Sequence, residues 1–195
     1  MNSNTSTPAT NNRPALSIND LTLIALFTAV IAVCSWISIP AAVPFTLQTF
    51  AGFLTAGLLG GTRGTITVIV YILLGAIGVP VFSGFTGGIG HLLGPTGGYI
   101  IGFIFSALVM WFAENRFGKS LRVLAASMIV GLIVCYAFGT AWFMTVYTRE
   151  SGAIGLMTAL GWCVFPYIIP DAVKIAVAVI LCRRLRPVLT GMQAR

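Results

Sequence analysis

The chain has 195 residues, 57% of them hydrophobic and only 8% charged, where a soluble domain carries roughly a quarter charged residues. With a mean hydropathy of +0.98, this excludes an ordinary soluble globule and points to a single all-α integral membrane protein. Eleven basic against four acidic side chains give a formal charge of +7; the basic residues lie between or after apolar runs rather than in a stripe, so they are expected to face the headgroups of a lipid bilayer, with no nucleic acid as partner.

In chain order, residues 1–19 are rich in Asn, Ser, Thr and Pro and read as a disordered cytoplasmic tail. Six apolar runs follow, at 21–39, 45–61, 65–79, 96–113, 123–146 and 162–182, which predict a bundle of six transmembrane helices. The first run is longer than a usual signal-peptide core and has no clear small-x-small cleavage site after it. The second and third are short for a hydrocarbon core about 30 Å thick. The membrane domain is expected to cover 20–183, with a basic cytoplasmic tail at 184–195.

Counted by alternate loops, Arg13, Arg63, Arg116, Lys119, Arg122, Arg183, Arg184, Arg186 and Arg195 fall on one side, and Arg149, offset by Glu150, on the other. Basic residues are retained on the cytoplasmic side, so both termini are expected there. The loops near 40–44, 80–95 and 148–161 are then expected to face outward. The segment 78–98 holds glycine at 78, 84, 87, 88, 90, 94, 97 and 98, with Pro80 and Pro95. Irregular backbone at membrane depth is tolerated where protein buries it or where it lines a cavity, which predicts a lid or wall; the alternative is a surface connection.

Asp171 and Lys174 stand three residues apart, hence on one face of the last helix. A charge within a span costs about 3 kcal/mol on insertion scales and faces the bundle interior or a polar cavity. Two readings follow, an ion pair that fixes the helix or a polar clamp for a ligand's N–H and carbonyl or carboxylate groups. Gln48, at the head of the second span, either holds a ligand or caps its helix. Phe45, Phe82, Phe85, Tyr99, Trp142 and Tyr167 lie near the outward face as an aromatic belt, from which one or two are expected to stack on a ligand.

His91 has no Cys, Asp or Glu close to it in sequence and makes a poor metal site, so no metal is expected. Cys34, Cys135, Cys163 and Cys182 are scattered and read as packing residues. Gly118-Lys119-Ser120 lacks the first glycine of a phosphate-binding loop, since that position is Ala113. Ser83 and His91 share one loop without a GxSxG context, so neither an enzyme nor a cofactor is expected.

Several strings occur together: Phe45-Thr46-Leu47-Gln48-Thr49-Phe50, Leu74-Gly75-Ala76-Ile77-Gly78-Val79-Pro80-Val81-Phe82, Gly87-Gly88, Leu93-Gly94-Pro95-Thr96-Gly97-Gly98-Tyr99 and Pro170-Asp171-x-x-Lys174. In combination, over about residues 20–182, they resemble the BioY biotin transporter family. The resemblance implies a six-helix S component of an energy-coupling factor transporter in a bacterial inner membrane, binding biotin at the extracytoplasmic side. A transmembrane T component and two ATP-binding cassette ATPases would be its partners, and a homo-oligomer stays open. It further implies that Asp171 and Lys174 bind the bicyclic ureido end of biotin, and that Ser83, Gly84, Phe85, Gly87 and Gly88 belong to a ligand-covering loop. The pair Ala25 and Ala29 is similar to the family's docking motif for the T component, although small residues four apart also serve ordinary helix packing. One departure is that Asp171 follows Pro170 directly, without the family's intervening glycine. An S component for another small vitamin, a membrane enzyme and a structural bundle are the alternatives.

Overall fold

The computed structural model describes residues 16–193; residues 1–15, where most of the expected disordered tail falls, lie outside them. Helix α1, Ile18–Trp36, begins with a capping box in which Asp20 N–H donates to Ser17 Oγ at 3.2 Å and Ser17 N–H to Asp20 Oδ2 at 3.1 Å. This reciprocal pair satisfies two of the helix's orphan donors and starts the helix three residues before the apolar run. A two-rung antiparallel ribbon follows, β1 Ser38–Ile39 against β2 Phe45–Thr46. Then come α2, Gln48–Leu59, and α3, Gly61–Ala76, split at Gly60, whose φ of 81° favours glycine.

At about 1.5 Å per residue, α2 and α3 are shorter than a bilayer core, so neighbours and flanking segments must complete any crossing. Helix α4, Ile89–Leu93, lies inside the glycine-rich segment, and α5, Gly97–Phe117, leads through a short turn to α6, Leu121–Ser151. The expected continuous run 162–182 is broken. Helix α7, Leu156–Cys163, stops before a 3-10 turn at Phe165–Tyr167 that carries Pro166, and α8 runs from Ile168 to Gln193. Pro170 falls in the first turn of α8, where a missing N–H costs nothing. The basic segment after residue 183 continues this helix as far as Gln193.

The most extensive interface joins α5 to α6, with α3 against α5 and α2 against α8. Four helical stretches, 18–36, 97–117, 121–149 and 156–189, are long and apolar enough to cross a membrane. At one end of the bundle Arg63 Nε pairs with Asp20 at 2.9 Å, Lys119 with Glu114 at 3.4 Å, and Arg186 Nε donates to Gly57 O at 2.6 Å. At the other end the ribbon, the 77–96 segment and the start of α8 gather. There Trp36 Nε1 donates to Pro80 O at 2.8 Å, Trp142 Nε1 to Gly94 O at 3.0 Å, and the Tyr167 hydroxyl to Val43 O.

The 77–96 segment folds back into the bundle, as its glycine content suggests. Phe82 is fully buried, edge-on to Tyr71 at 5.6 Å, and Val81 O accepts from Ser35 Oγ at 2.5 Å and Tyr71 OH at 3.0 Å. Gly75 makes this seat, because a Cβ there would overlap the Phe82 ring.

Candidate functional site

The charged pair is built by α8. Asp171 sits in the first turn, where the helix dipole favours a carboxylate, and Lys174 stands one turn later on the same face. Lys174 Nζ lies 2.7 Å from Asp171 Oδ1, donates to Thr46 O at 2.7 Å, and lies 4.1 Å from the centre of the Phe45 ring. Tyr136 OH donates to Asp171 Oδ2 at 2.5 Å. Both charges are buried, with 4% of the Asp171 side chain and 8% of the Lys174 side chain exposed. The start of α8, the ribbon and the middle of α6 are thereby tied to one carboxylate and one ammonium.

A cavity of about 60 Å³ opens beside them, with room for roughly four to six waters. Gln48 and Thr49 of α2, Tyr99 and Ile100 of α5, and Cys135 and Tyr136 of α6 form part of its wall. Ser83, His91 and Thr96 of the glycine-rich segment, with Cys163 and Tyr167, complete much of the rest. Gln48 is buried, its backbone N–H donates to Thr46 Oγ1 at 3.2 Å, and no side chain caps α2. With no side-chain cap bond at α2, Gln48 does not cap its helix, and its side-chain Nε2 has no partner, which leaves a donor free for a ligand. His91 Nε2 is likewise buried without a partner. A buried donor or acceptor left unpaired costs about 1–3 kcal/mol, so both atoms gain from a polar ligand.

The structure brings Gln48, Ser83, Tyr99, Asp171 and Lys174 together around the cavity and leaves four other expected residues off its wall. Phe85 is 65% exposed, with its ring stacked on Trp36 at 4.9 Å. Gly84 with φ 69° and Phe85 with φ 57° turn the chain away there. Gly87 packs on the backbone of Gly78 and Val79, with no room for a Cβ, and Gly88 donates its N–H to Gly75 O at 2.7 Å. These three glycines shape the segment. Tyr99 presents its ring, since its hydroxyl is occupied by Thr140 Oγ1 at 2.9 Å. Ala25 and Ala29 are exposed on α1, away from the cavity.

Sequence reasoning missed Tyr136 and the Thr46 carbonyl, and it treated Cys135 and Cys163 as packing only, although both line the cavity. Among the described residues no three His, Cys, Asp or Glu side chains converge to hold a metal ion. A larger hollow of about 780 Å³ lies on the flank between α6, α7 and α8. Apart from Tyr136 and Thr140 its lining is apolar, which suits acyl chains rather than a polar solute.

The family model for BioY matches residues 5–191. The chain belongs to the BioY family. A biotin transporter BioY of Thermotoga maritima is 42% identical over 83% of this chain and 92% of its own length. A probable biotin transporter BioY of Pyrococcus horikoshii is 38% identical over 88% and 98%. Among solved structures, the S component for biotin from an ECF-type ABC transporter superposes with a TM-score of 0.76 at 31% identity, covering 89% of this chain and 95% of that one. With its four long apolar helices, this BioY chain is a multi-pass membrane protein with the S-component fold.

Proposed function

We propose that the chain is a biotin-binding S component that captures biotin on the extracytoplasmic side of the bacterial inner membrane for import powered by partner subunits. The observation that carries the reading is the buried Asp171–Lys174 pair beside a cavity in which Gln48 Nε2 is unpaired. A cyclic urea presents two N–H donors and one carbonyl, which a carboxylate and a pair of N–H donors match. The cavity is smaller than a bicyclic vitamin, so seating one requires the walls to part. Calorimetric titration of the purified chain with biotin, competed by dethiobiotin and by an unrelated vitamin such as riboflavin, tests this. Saturable binding of biotin, displaced by its analogue alone, is expected; preference for the unrelated vitamin contradicts it.

On this reading the chain crosses six times, α2 and α3 spanning with help from their flanks, and the distribution of basic residues favours cytoplasmic termini. Cysteines placed at Ala41 and Gly152 of a variant lacking the native four should react with an impermeant thiol reagent from outside, and labelling at Lys119→Cys would reverse the orientation. A transmembrane T component and two ATP-binding cassette ATPases are the partners on this reading. Exposure of Ala25 and Ala29 supports their use in docking, because neither is spent on packing inside the bundle. Replacing both with Leu should leave biotin binding intact and abolish co-purification with a T component; loss of binding would make them packing residues.

A further inference from the structure

The hollow on the flank exists because α7 has only 8 residues and stops before Val164, so α6 is faced there by a short helix and then by the start of α8. Ala137 and Ala141 of α6 and Ala172 of α8 line it, side chains too small to fill the gap. Both walls belong to the stretches 121–149 and 156–189, which are apolar and long enough to cross a membrane. Ile129, Ile133, Leu156 and Ile168 on its lining are exposed, so the hollow opens on hydrocarbon.

Shape and chemistry decide what fits it. Along α6 the lining runs from Ile129 to Met144, about 22 Å at 1.5 Å per residue. Its volume of about 780 Å³ then leaves a mean cross-section of about 35 Å², less than half that of a helix about 10 Å across. A helix of a second copy is too thick to enter. A single acyl chain is thin enough, and a bilayer core about 30 Å thick supplies such chains at this depth. Water is disfavoured, because a buried water makes about two to four hydrogen bonds and the lining has two polar side chains whose hydroxyls are both engaged on the far side. Tyr136 donates to Asp171 Oδ2 at 2.5 Å, and Thr140 Oγ1 is bonded to Tyr99 OH at 2.9 Å.

Those same bonds join the hollow to the ligand cavity. Leu132 and Tyr136 line both spaces, so one layer of side chains separates lipid from ligand. A void behind the Tyr136 ring forfeits the dispersion contacts of that face and leaves the ring free to swing away from Asp171. We propose that the hollow is a lipid site, in which one acyl chain of a phospholipid lies along α6 and backs Tyr136, raising the affinity of the cavity for its ligand. The effect on affinity rests on the biotin reading; the lipid site itself does not. The coupling is reciprocal, so bound biotin tightens the hold on the lipid by the same factor.

The full chain, purified in detergent and stripped of lipid, tests this with palmitoyl-oleoyl phosphatidylglycerol as the added lipid. A phosphatidylglycerol carrying a diazirine on its acyl chain should label residues of α6, α7 and α8 that line the hollow. Calorimetric affinity for biotin should fall at least about fivefold on stripping and return with the lipid. Ala137→Phe combined with Ala141→Phe puts two rings into the hollow; this variant should lose the label and the lipid dependence while keeping the parent's affinity. Ala141→Phe alone gives the same comparison where the double variant does not fold. Label spread evenly over every apolar flank, or lipid dependence that persists in the filled variant, would overturn the proposal. So would biotin affinity lost in a folded filled variant, since the hollow would then have to stay empty, and so would a dimer in light scattering that the filling abolishes, since a second copy would be the occupant. If the unmodified chain binds no biotin with or without lipid, the biotin reading fails, and the labelling alone decides whether the hollow holds a lipid.

Discussion

Carboxylates meet cations at both ends of this bundle, and the two meetings serve different ends. At one end Arg63 reaches Asp20 and Lys119 reaches Glu114 from side chains that are 35% and 78% exposed. These pairs join helix termini, since Asp20 also caps α1 and Glu114 accepts from Gly61 N–H at 2.5 Å at the start of α3. At the other end Lys174 is 8% exposed, and its pair stands beside a cavity with unpaired polar atoms on the wall. Exposed pairs stabilise by about 0–1 kcal/mol, whereas removing one partner of a buried pair costs roughly 3–5 kcal/mol. The same chemistry is a fastening where both partners join helix termini, and on the reading proposed above it is a recognition element where the pair is buried beside the cavity.

The largest effect expected from this contrast is at Lys174. Lys174→Met should weaken biotin binding at least about a hundredfold, while Arg63→Met changes it less than about threefold. Direct binding assays on the two purified variants compare the ends, and equal losses would erase the distinction. Tyr136→Phe comes next. It removes one charge-assisted hydrogen bond to Asp171 and should cost about tenfold in affinity, with a fluorescence melting curve close to that of the parent.

Why Lys174 could be read from sequence and Tyr136 could not is a matter of rarity. Two charges inside an apolar run are conspicuous, because each is costly at membrane depth. A tyrosine among apolar residues carries no such mark until α8 is packed against α6. The Thr46 carbonyl is invisible for a stronger reason, since every residue has one. Phe85 was expected at the ligand and faces outward because Gly84 and Phe85 itself take positive φ, a backbone detail that glycine permits without announcing its direction. The sequence marks His91 neither as a metal ligand nor, beside Ser83, as a base; only the fold puts it on the cavity wall with its Nε2 unpaired. The six apolar runs were legible in outline; the break after α7 was signalled by Pro166, and the early start of α1 by Ser17 and Asp20, whose box has Asp in place of the usual Glu or Gln.

The smallest effect belongs to the exposed end. Asp20→Asn loses the ion pair and weakens the cap, and should lower the melting temperature by a few degrees while biotin affinity stays within about twofold. A thermal shift assay with and without ligand separates the two quantities. A loss of affinity there would mean that the ends are coupled through α1.

The Asp171–Lys174 pair either recognises the ligand or only fixes α8. Affinity and melting temperature measured together on Asp171→Asn, Lys174→Met and the double variant decide it. If the pair recognises the ligand, all three variants fold and lose at least about a hundredfold in biotin affinity, with no recovery in the double. Near-normal affinity in a folded Asp171→Asn protein, or single variants that only melt early and a double that regains stability with affinity untouched, would contradict it.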